Sequence, residues 1–183
     1  LYARYSEFPE PILLGGGQES GHRSGTLNVP AIVGFGAACA IAQDRMETDR
    51  QQAEFLRTTL LDRMRGVSGW RANDACNQSP YILSLTIDDV LGESLVVELD
   101  REGLAIGAGP ACSAHSSKVS PTLKALGLSD QEAQGTIRIS FGRTNAVETA
   151  IMLAQSLGKA IERLRSLKNA RLGATSPKKR ASI

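Results

Sequence analysis

A thiol, a guanidinium and a glycine-rich tract are the features of this chain whose types and spacing could do chemistry. Cys112 stands in Gly107-Ala108-Gly109-Pro110-Ala111-Cys112-Ser113-Ala114-His115-Ser116-Ser117, a run of small and polar residues almost without core-forming side chains. The usual fate of a free cysteine is to be buried as a small hydrophobe, and this suits Cys39 among Ala37, Ala38 and Ala40. The neighbours of Cys112 leave it nothing to pack into, so the alternative is a thiol on an exposed loop. There it can ionise and swing, as a nucleophile must. Cys76, beside Asp74 and Asn77, reads as an incidental surface thiol. The cysteines lie far apart with no C-x-x-C, which points to free thiols in a reducing compartment rather than a disulfide framework.

The second feature is Gly15-Gly16-Gly17-Gln18-Glu19-Ser20-Gly21-His22-Arg23-Ser24-Gly25-Thr26, a polar loop without apolar period. Backbone N–H groups, the Arg23 guanidinium and the Ser24 and Thr26 hydroxyls are what a phosphate needs, and a helix following Asn28 and Pro30 would add its dipole. It is neither a P-loop nor a dinucleotide fingerprint, since Gly-Lys-Ser/Thr and G-x-G-x-x-G are both absent, and a plain flexible hinge is the competing account. The third is Arg138, in Thr136-Ile137-Arg138-Ile139-Ser140-Phe141. Alternation sends it to the face opposite Ile137, Ile139 and Phe141, where it is either an ordinary exposed strand arginine or a fixed cation for a carboxylate. His22 and His115 have no metal-ligand spacing with any cysteine or acid.

The elements that must position these groups follow from the periodicities. Residues 1–14 read as the end of a strand and a connector, broken by Pro9 and Pro11. One or two helices run from Asn28-Pro30 to near Gly66, with Leu56, Leu60, Leu61 and Met64 at helical spacing. Residues 81–87 alternate as a half-buried strand, 92–101 form an amphipathic helix with Leu95, Val96 and Leu99 inward, and Leu104-Ala105-Ile106 is a short strand candidate. A short helix over 121–126 precedes a capping box at Ser129 and Glu132, and then the strand carrying Arg138. Asn145 with Glu148 is expected to cap a last helix reaching about Leu167. The fold class is α/β, helices over a small mixed sheet.

Charge and composition exclude several classes of function. The 183 residues carry a net charge of +2, but seven of the basic residues, Arg163 to Arg180, fall in the last 21 positions, which hold no acid. The remainder has 14 basic against 19 acidic groups, a net −5. Such a body is no footprint for nucleic acid, and the basic end reads as a solvated helix end with a disordered extension. The longest apolar stretch, 29–42, is interrupted by Pro30, Gly34 and Gly36 and falls short of a bilayer span, so no membrane is expected. The opening residues lack the basic and apolar regions of a secretion signal, which together with free thiols points to the cytoplasm.

Taken together, the stretch Gly15 to Pro30, then Gly92-Glu93-Ser94-Leu95, Ala111-Cys112-Ser113, Lys124-Ala125-Leu126-Gly127 and Ile137-Arg138-Ile139-Ser140-Phe141-Gly142-Arg143 resemble the cysteine desulfurases, pyridoxal 5'-phosphate enzymes of the class V aminotransferase family. The motifs follow in that family's order and spacing from about Leu1 to Leu167. The resemblance implies the C-terminal part of a fold-type I transferase. Residues 1–29 would be the end of the large domain with the cofactor-phosphate loop. Residues 30–167 would be the small domain with its linking helices and cysteine loop, 107–118, and 168–183 a basic disordered tail.

It also implies roles. Cys112 would take sulfur from L-cysteine as a persulfide while alanine leaves, and Arg138 would bind the substrate carboxylate. Thr26 would reach the cofactor phosphate across a homodimer interface, in the loop that also carries Arg23 and Ser24. The tract around Cys112 resembles the group that hands sulfur to an iron–sulfur scaffold or another sulfur-carrier protein. The family's cofactor lysine, its histidine over the cofactor ring and its aspartate on the ring nitrogen all lie upstream of the segment matching Leu1-Tyr2-Ala3-Arg4. Lys118, Lys124 and Lys159 match no cofactor lysine, and the expectation is a piece of a longer or split enzyme, inactive by itself. Two alternatives stand beside it: a non-catalytic dimerisation or sulfur-relay module, and another class V transaminase or selenocysteine lyase.

Overall fold

The computed structural model describes residues 10–74, 78–109 and 120–174, with side chains as far as residue 170. The chain divides into two units, one ending at Met46 and the other beginning at Glu47.

The first unit holds the glycine-rich loop and the start of helix α1, Val29–Met64. Asn28 begins the helix, its Oδ1 accepting from the Ala31 N–H at 3.1 Å, and Pro30 occupies a first-turn position whose missing N–H costs nothing. Every residue of 29–46 is exposed, including Val33 at 66% and Phe35 at 70%. Cys39 is exposed with them, which corrects the expectation of a buried thiol: its alanine neighbours share a helix that has no packing layer within this unit.

In the second unit α1 becomes amphipathic and buries Ala53, Leu56, Leu60 and Met64. Four strands follow: β1 Trp70–Ala72, β2 Ile82–Ile87, β3 Gly107–Ala108 and β4 Thr136–Ser140. Between and after them come helices α2 Gly92–Asp100, α3 Pro121–Ala125, α4 Asp130–Gln134 and α5 Val147–Ala174. The sheet order is β1-β2-β4-β3. Each neighbouring pair is antiparallel, so the sheet is not mixed as expected. The reason lies in a split β-α-β unit: β2 and β3, joined through α2, run in the same direction, but β4 inserts between them and pairs antiparallel with both. One core gathers Leu83, Leu85, Ile137, Leu95, Leu99, Leu157 and Ile161 with the buried residues of α1.

Several boundaries differ from the sequence pattern. The third strand is Gly107–Ala108 rather than Leu104-Ala105-Ile106, because pairing with Ile137 and Arg138 sets its place. Asn145 does not cap α5; its Oδ1 accepts from the Gly142 N–H at 2.7 Å and closes the turn after β4. Helix α5 runs past Leu167 to Ala174, held at this end by Arg165, which donates to the carbonyls of Ser68, Gly69 and Asp88, and by Lys168, 2.6 Å from Asp89. Strand β1, which has no three-residue signature in the sequence, forms because the Trp70 indole N–H donates to the Met64 carbonyl at 3.0 Å and ties the strand to the open end of α1. The Ser129–Glu132 capping box is present as expected.

Candidate functional site

Arg138 sits at the middle of β4, opposite Ser84 on one side and Gly107 on the other. Its neighbours Ile137 and Ile139 go into the core and Arg138 goes out, as the alternation predicts. Both flanking residues are small. A Cβ built on Gly107 would stand 3.5 Å from the Arg138 Nη2 and 3.7 Å from Nε, so the guanidinium lies over the glycine backbone. Arg138 forms no ion pair among the described residues and keeps a planar, two-pronged donor available.

The strand beneath it is held at both ends. At the entrance, the Ile87 N–H donates to the Gly135 carbonyl at 3.0 Å, and the Thr136 hydroxyl meets that of Thr86 at 2.9 Å. Asn73 completes this buried polar cluster through Ser84 and Thr86. At the exit, Gln52 on α1 donates to the carbonyls of Arg143 and Asn145, and Asp49 pairs with Arg143 at 3.6 Å. Beside β4's start, Arg71 on β1 reaches Glu132 at 2.8 Å. The Ser129 hydroxyl, the Ser129 N–H and Arg71 hold the Glu132 carboxyl down to about 2, from an ordinary 4.5. Most of these supports have no signal in the sequence. Only the Ser129/Glu132 spacing was legible; Asn73, Gln52 and Asp49 act through partners far away in the chain.

Gly107 is also the first residue of the tract that contains Cys112. Cys112 and His115 lie outside the described residues, as does Cys76. Strand β3 therefore roots the tract directly beside Arg138. Three peptide units separate Cys112 from the described Gly109, a reach of about 10 Å.

In the first unit the loop is shaped by its own groups. Gly17 and Gly21 take positive φ values of 76° and 84°, and the non-glycine residues Glu19 and Ser20 take 53° and 56°. Consecutive residues in this sparsely populated region mark a loop held in a particular shape. Arg23 donates to the carbonyls of Gly25 at 3.1 Å and Thr26 at 2.9 Å. The Gln18 side chain accepts from the Gly25 N–H, and the Ser24 N–H donates to Leu13. Ser24 is buried, whereas Thr26 is exposed and its hydroxyl has no partner among the described residues. Of the loop's three expected anion donors, only the exposed Thr26 hydroxyl is left open, just before the N-terminus of a long helix, while Arg23 is turned onto the loop's own carbonyls and Ser24 is buried. No group of three or more metal-ligating side chains occurs among the described residues, and no described helix is long and apolar enough to cross a membrane.

Residues 7–152 match the family model of class-V aminotransferases, and the chain belongs to that family. Within it, the sequence is similar to cysteine desulfurases. It is 37% identical over 168 residues to cysteine desulfurase IscS 1 of Archaeoglobus fulgidus, covering 91% of this chain and 44% of that protein. To cysteine desulfurase IscS of Vibrio vulnificus it is 40% identical over 159 residues, 86% of this chain and 39% of the other. Among solved structures, a NifS-like protein superposes with a TM-score of 0.74 at 28% identity, over 88% of this chain and 41% of that one. The cysteine desulfurase CsdA from Escherichia coli superposes with a TM-score of 0.55 at 25% identity, over 79% and 32%. The chain spans about two fifths of the length of the curated relatives it matches.

Proposed function

We propose that this chain is the C-terminal part of a pyridoxal-phosphate-dependent cysteine desulfurase, in which Cys112 receives sulfur from L-cysteine and alanine is released. The observation that carries the proposal is the pairing of Gly107 with Arg138: one register places a free guanidinium beside the root of the thiol tract. The likeness to cysteine desulfurases over most of the chain supports it.

In this proposal Arg138 holds the substrate carboxylate through two parallel N–H···O bonds, which fixes the amino acid about one axis and leaves its sulfur free to meet Cys112. The Cys112 thiolate attacks that sulfur, an S–S bond forms as the C–S bond breaks, and the persulfide stays on the enzyme. The cofactor, when bound, supplies the electron sink that makes the C–S bond breakable. Thr26 is the side chain of this loop that would face its phosphate; Arg23 and Ser24 hold the loop in shape, Arg23 through the Gly25 and Thr26 carbonyls and Ser24 through Leu13. The cofactor lysine would come from the part of the enzyme preceding this chain. A homodimer, a sulfur-carrier or iron–sulfur scaffold acceptor and a cytoplasmic location complete the proposal. Residues 1–29 would belong to a large domain and 30–167 to a small one.

The test is to supply the preceding part of the enzyme, pyridoxal 5'-phosphate and L-cysteine, and to map persulfide by peptide mass spectrometry while measuring alanine. Persulfide on Cys112, with both signals lost in Cys112→Ser, is the expected result. Alanine formation undiminished in Cys112→Ser overturns the assignment of the nucleophile, and cysteine turnover absent from the wild-type assembly overturns the desulfurase itself.

A further inference from the structure

Glycine is a poor strand residue, since it gives up the most backbone freedom on pairing and brings no side chain to the sheet. Gly107 nevertheless opens β3, where it pairs with Arg138. Its backbone supplies no reason. Gly107 is not among the glycines of positive φ, and a paired strand conformation is open to any residue. A glycine in a strand without such a need marks a place where another group comes close.

The group is the guanidinium. Cross-strand partners in an antiparallel pair share a face, so a side chain at 107 would rise on the side of Arg138. The three heavy atoms nearest to a Cβ built there all belong to Arg138: Nη2 at 3.5 Å, Nε at 3.7 Å and Cζ at 3.8 Å. These are ordinary contact distances, so an alanine fits. Valine carries two γ carbons about 1.5 Å beyond Cβ, and together they claim the volume in which the guanidinium lies. The other flank is occupied. Ser84, the β2 partner of Arg138, has its hydroxyl accepting from the Asn73 amide at 3.0 Å. The side chain of Arg138 lies over the empty flank, exposed and with no ion pair among the described residues.

We propose that Gly107 is a positioning residue for Arg138: its missing side chain is what lets the guanidinium rest across β3 and keep its two-pronged face open to a substrate carboxylate. This rests on the reading of Arg138 as the carboxylate-binding cation. Side-chain size at 107 then sets the affinity for the substrate without touching it, because a bulky residue turns the guanidinium out of its place.

Stability and affinity should therefore move in opposite directions. Valine favours strands, so Gly107→Val should unfold at the same or a higher temperature than the wild type. In the assembled enzyme the same variant should raise the KM for L-cysteine about ten-fold and change kcat by less than about three-fold, while Gly107→Ala raises KM by no more than about two-fold. In an Arg138→Ala background the valine should add nothing to KM, since the group it displaces is gone. In the full chain, the NMR signal of the Arg138 Nε–H, assigned by its loss in Arg138→Lys, should shift in Gly107→Val and stay in place in Gly107→Ala. An unmoved signal, a lowered unfolding midpoint, or an equal rise of KM with and without Arg138 overturns the role of Gly107. A wild-type assembly without cysteine turnover overturns the desulfurase reading instead, and the Nε–H signal and the unfolding midpoint then decide whether Gly107 positions Arg138.

Discussion

Replacing Gly135 by alanine tests how β4, and with it Arg138, is held in place. A Cβ at this position would lie 2.4 Å from the Ile87 carbonyl oxygen and 3.1 Å from that of Val90. Both neighbours are backbone, so no side chain can swing aside. The φ of −84° is ordinary for any residue, which makes the clash purely steric. Relief requires β4 and β2 to part by about 1 Å, which costs about 1–3 kcal/mol as overpacking. The same movement stretches the 3.0 Å bond from the Ile87 N–H to the Gly135 carbonyl, adding about 1 kcal/mol for a weakened backbone pair. The sum is about 3 kcal/mol, a fall of about 10 °C in the unfolding midpoint for a domain of this size. Two other glycines calibrate the measurement. Gly103→Ala meets open space but a φ of +76°, and should cost about 1 kcal/mol. Gly34→Ala meets open space inside α1 and should be neutral or stabilising by up to about 1 kcal/mol. Thermal unfolding followed by circular dichroism should rank the variants in that order, and a Gly135→Ala midpoint at or above that of Gly103→Ala refutes the reasoning.

Three further outcomes follow from the same structure. Arg138→Lys keeps the charge but loses the two-pronged donor, so in the assembled enzyme the KM for L-cysteine should rise about ten-fold or more, measured by alanine formation; an unchanged KM would mean that Arg138 does not hold the substrate. Asn73→Ala leaves the buried Thr86 hydroxyl with Thr136 as its remaining partner and should cost about 2 kcal/mol in urea denaturation, whereas a surface-like cost below about 0.5 kcal/mol would deny the cluster a structural role. The Glu132 carboxyl sits lower in the folded state, at about 2, than its ordinary 4.5, so its contribution is fully present above 4.5 and is lost as pH falls towards 2. Glu132→Gln should therefore flatten the decline of stability across that acid window, and parallel curves for the two proteins would show that the capping box and Arg71 contribute nothing there.

Local signals in the sequence were good guides where a side chain decides its own surroundings. Alternation in residues 136–141 was enough to send Arg138 outward, and the Ser129/Glu132 spacing was enough for the cap of α4. What was not legible depends on contacts between distant segments. Asn145 has the chemistry of a cap, yet the Gly142 amide competes for its oxygen and wins. Cys39 has the neighbours of a core thiol, yet burial requires a packing layer that the first unit does not contain. Gly92 looks like a weak point at the start of α2, but a Cβ there would stand 2.8 Å from the Thr136 carbonyl oxygen, so its emptiness is what lets the helix approach β4. The resemblance of the motifs to cysteine desulfurases read Cys112, Arg138 and Thr26 as parts of one chemistry, which periodicity alone would have left as unrelated loop and strand residues.

Strand β3 is two residues long among the described residues, and both are tightly placed. Ala108 pairs with Ile137 and lies against the start of α2, where a Cβ on Gly92 would approach its own Cβ to 3.1 Å. That contact and the Gly107–Arg138 pairing fix where the thiol tract begins. A shorter strand would lose the register that sets Gly107 beside Arg138. The split β-α-β arrangement thus gives the tract beyond β3 one fixed end, at the residue paired with Arg138, which is the anchoring that the proposed nucleophile would require.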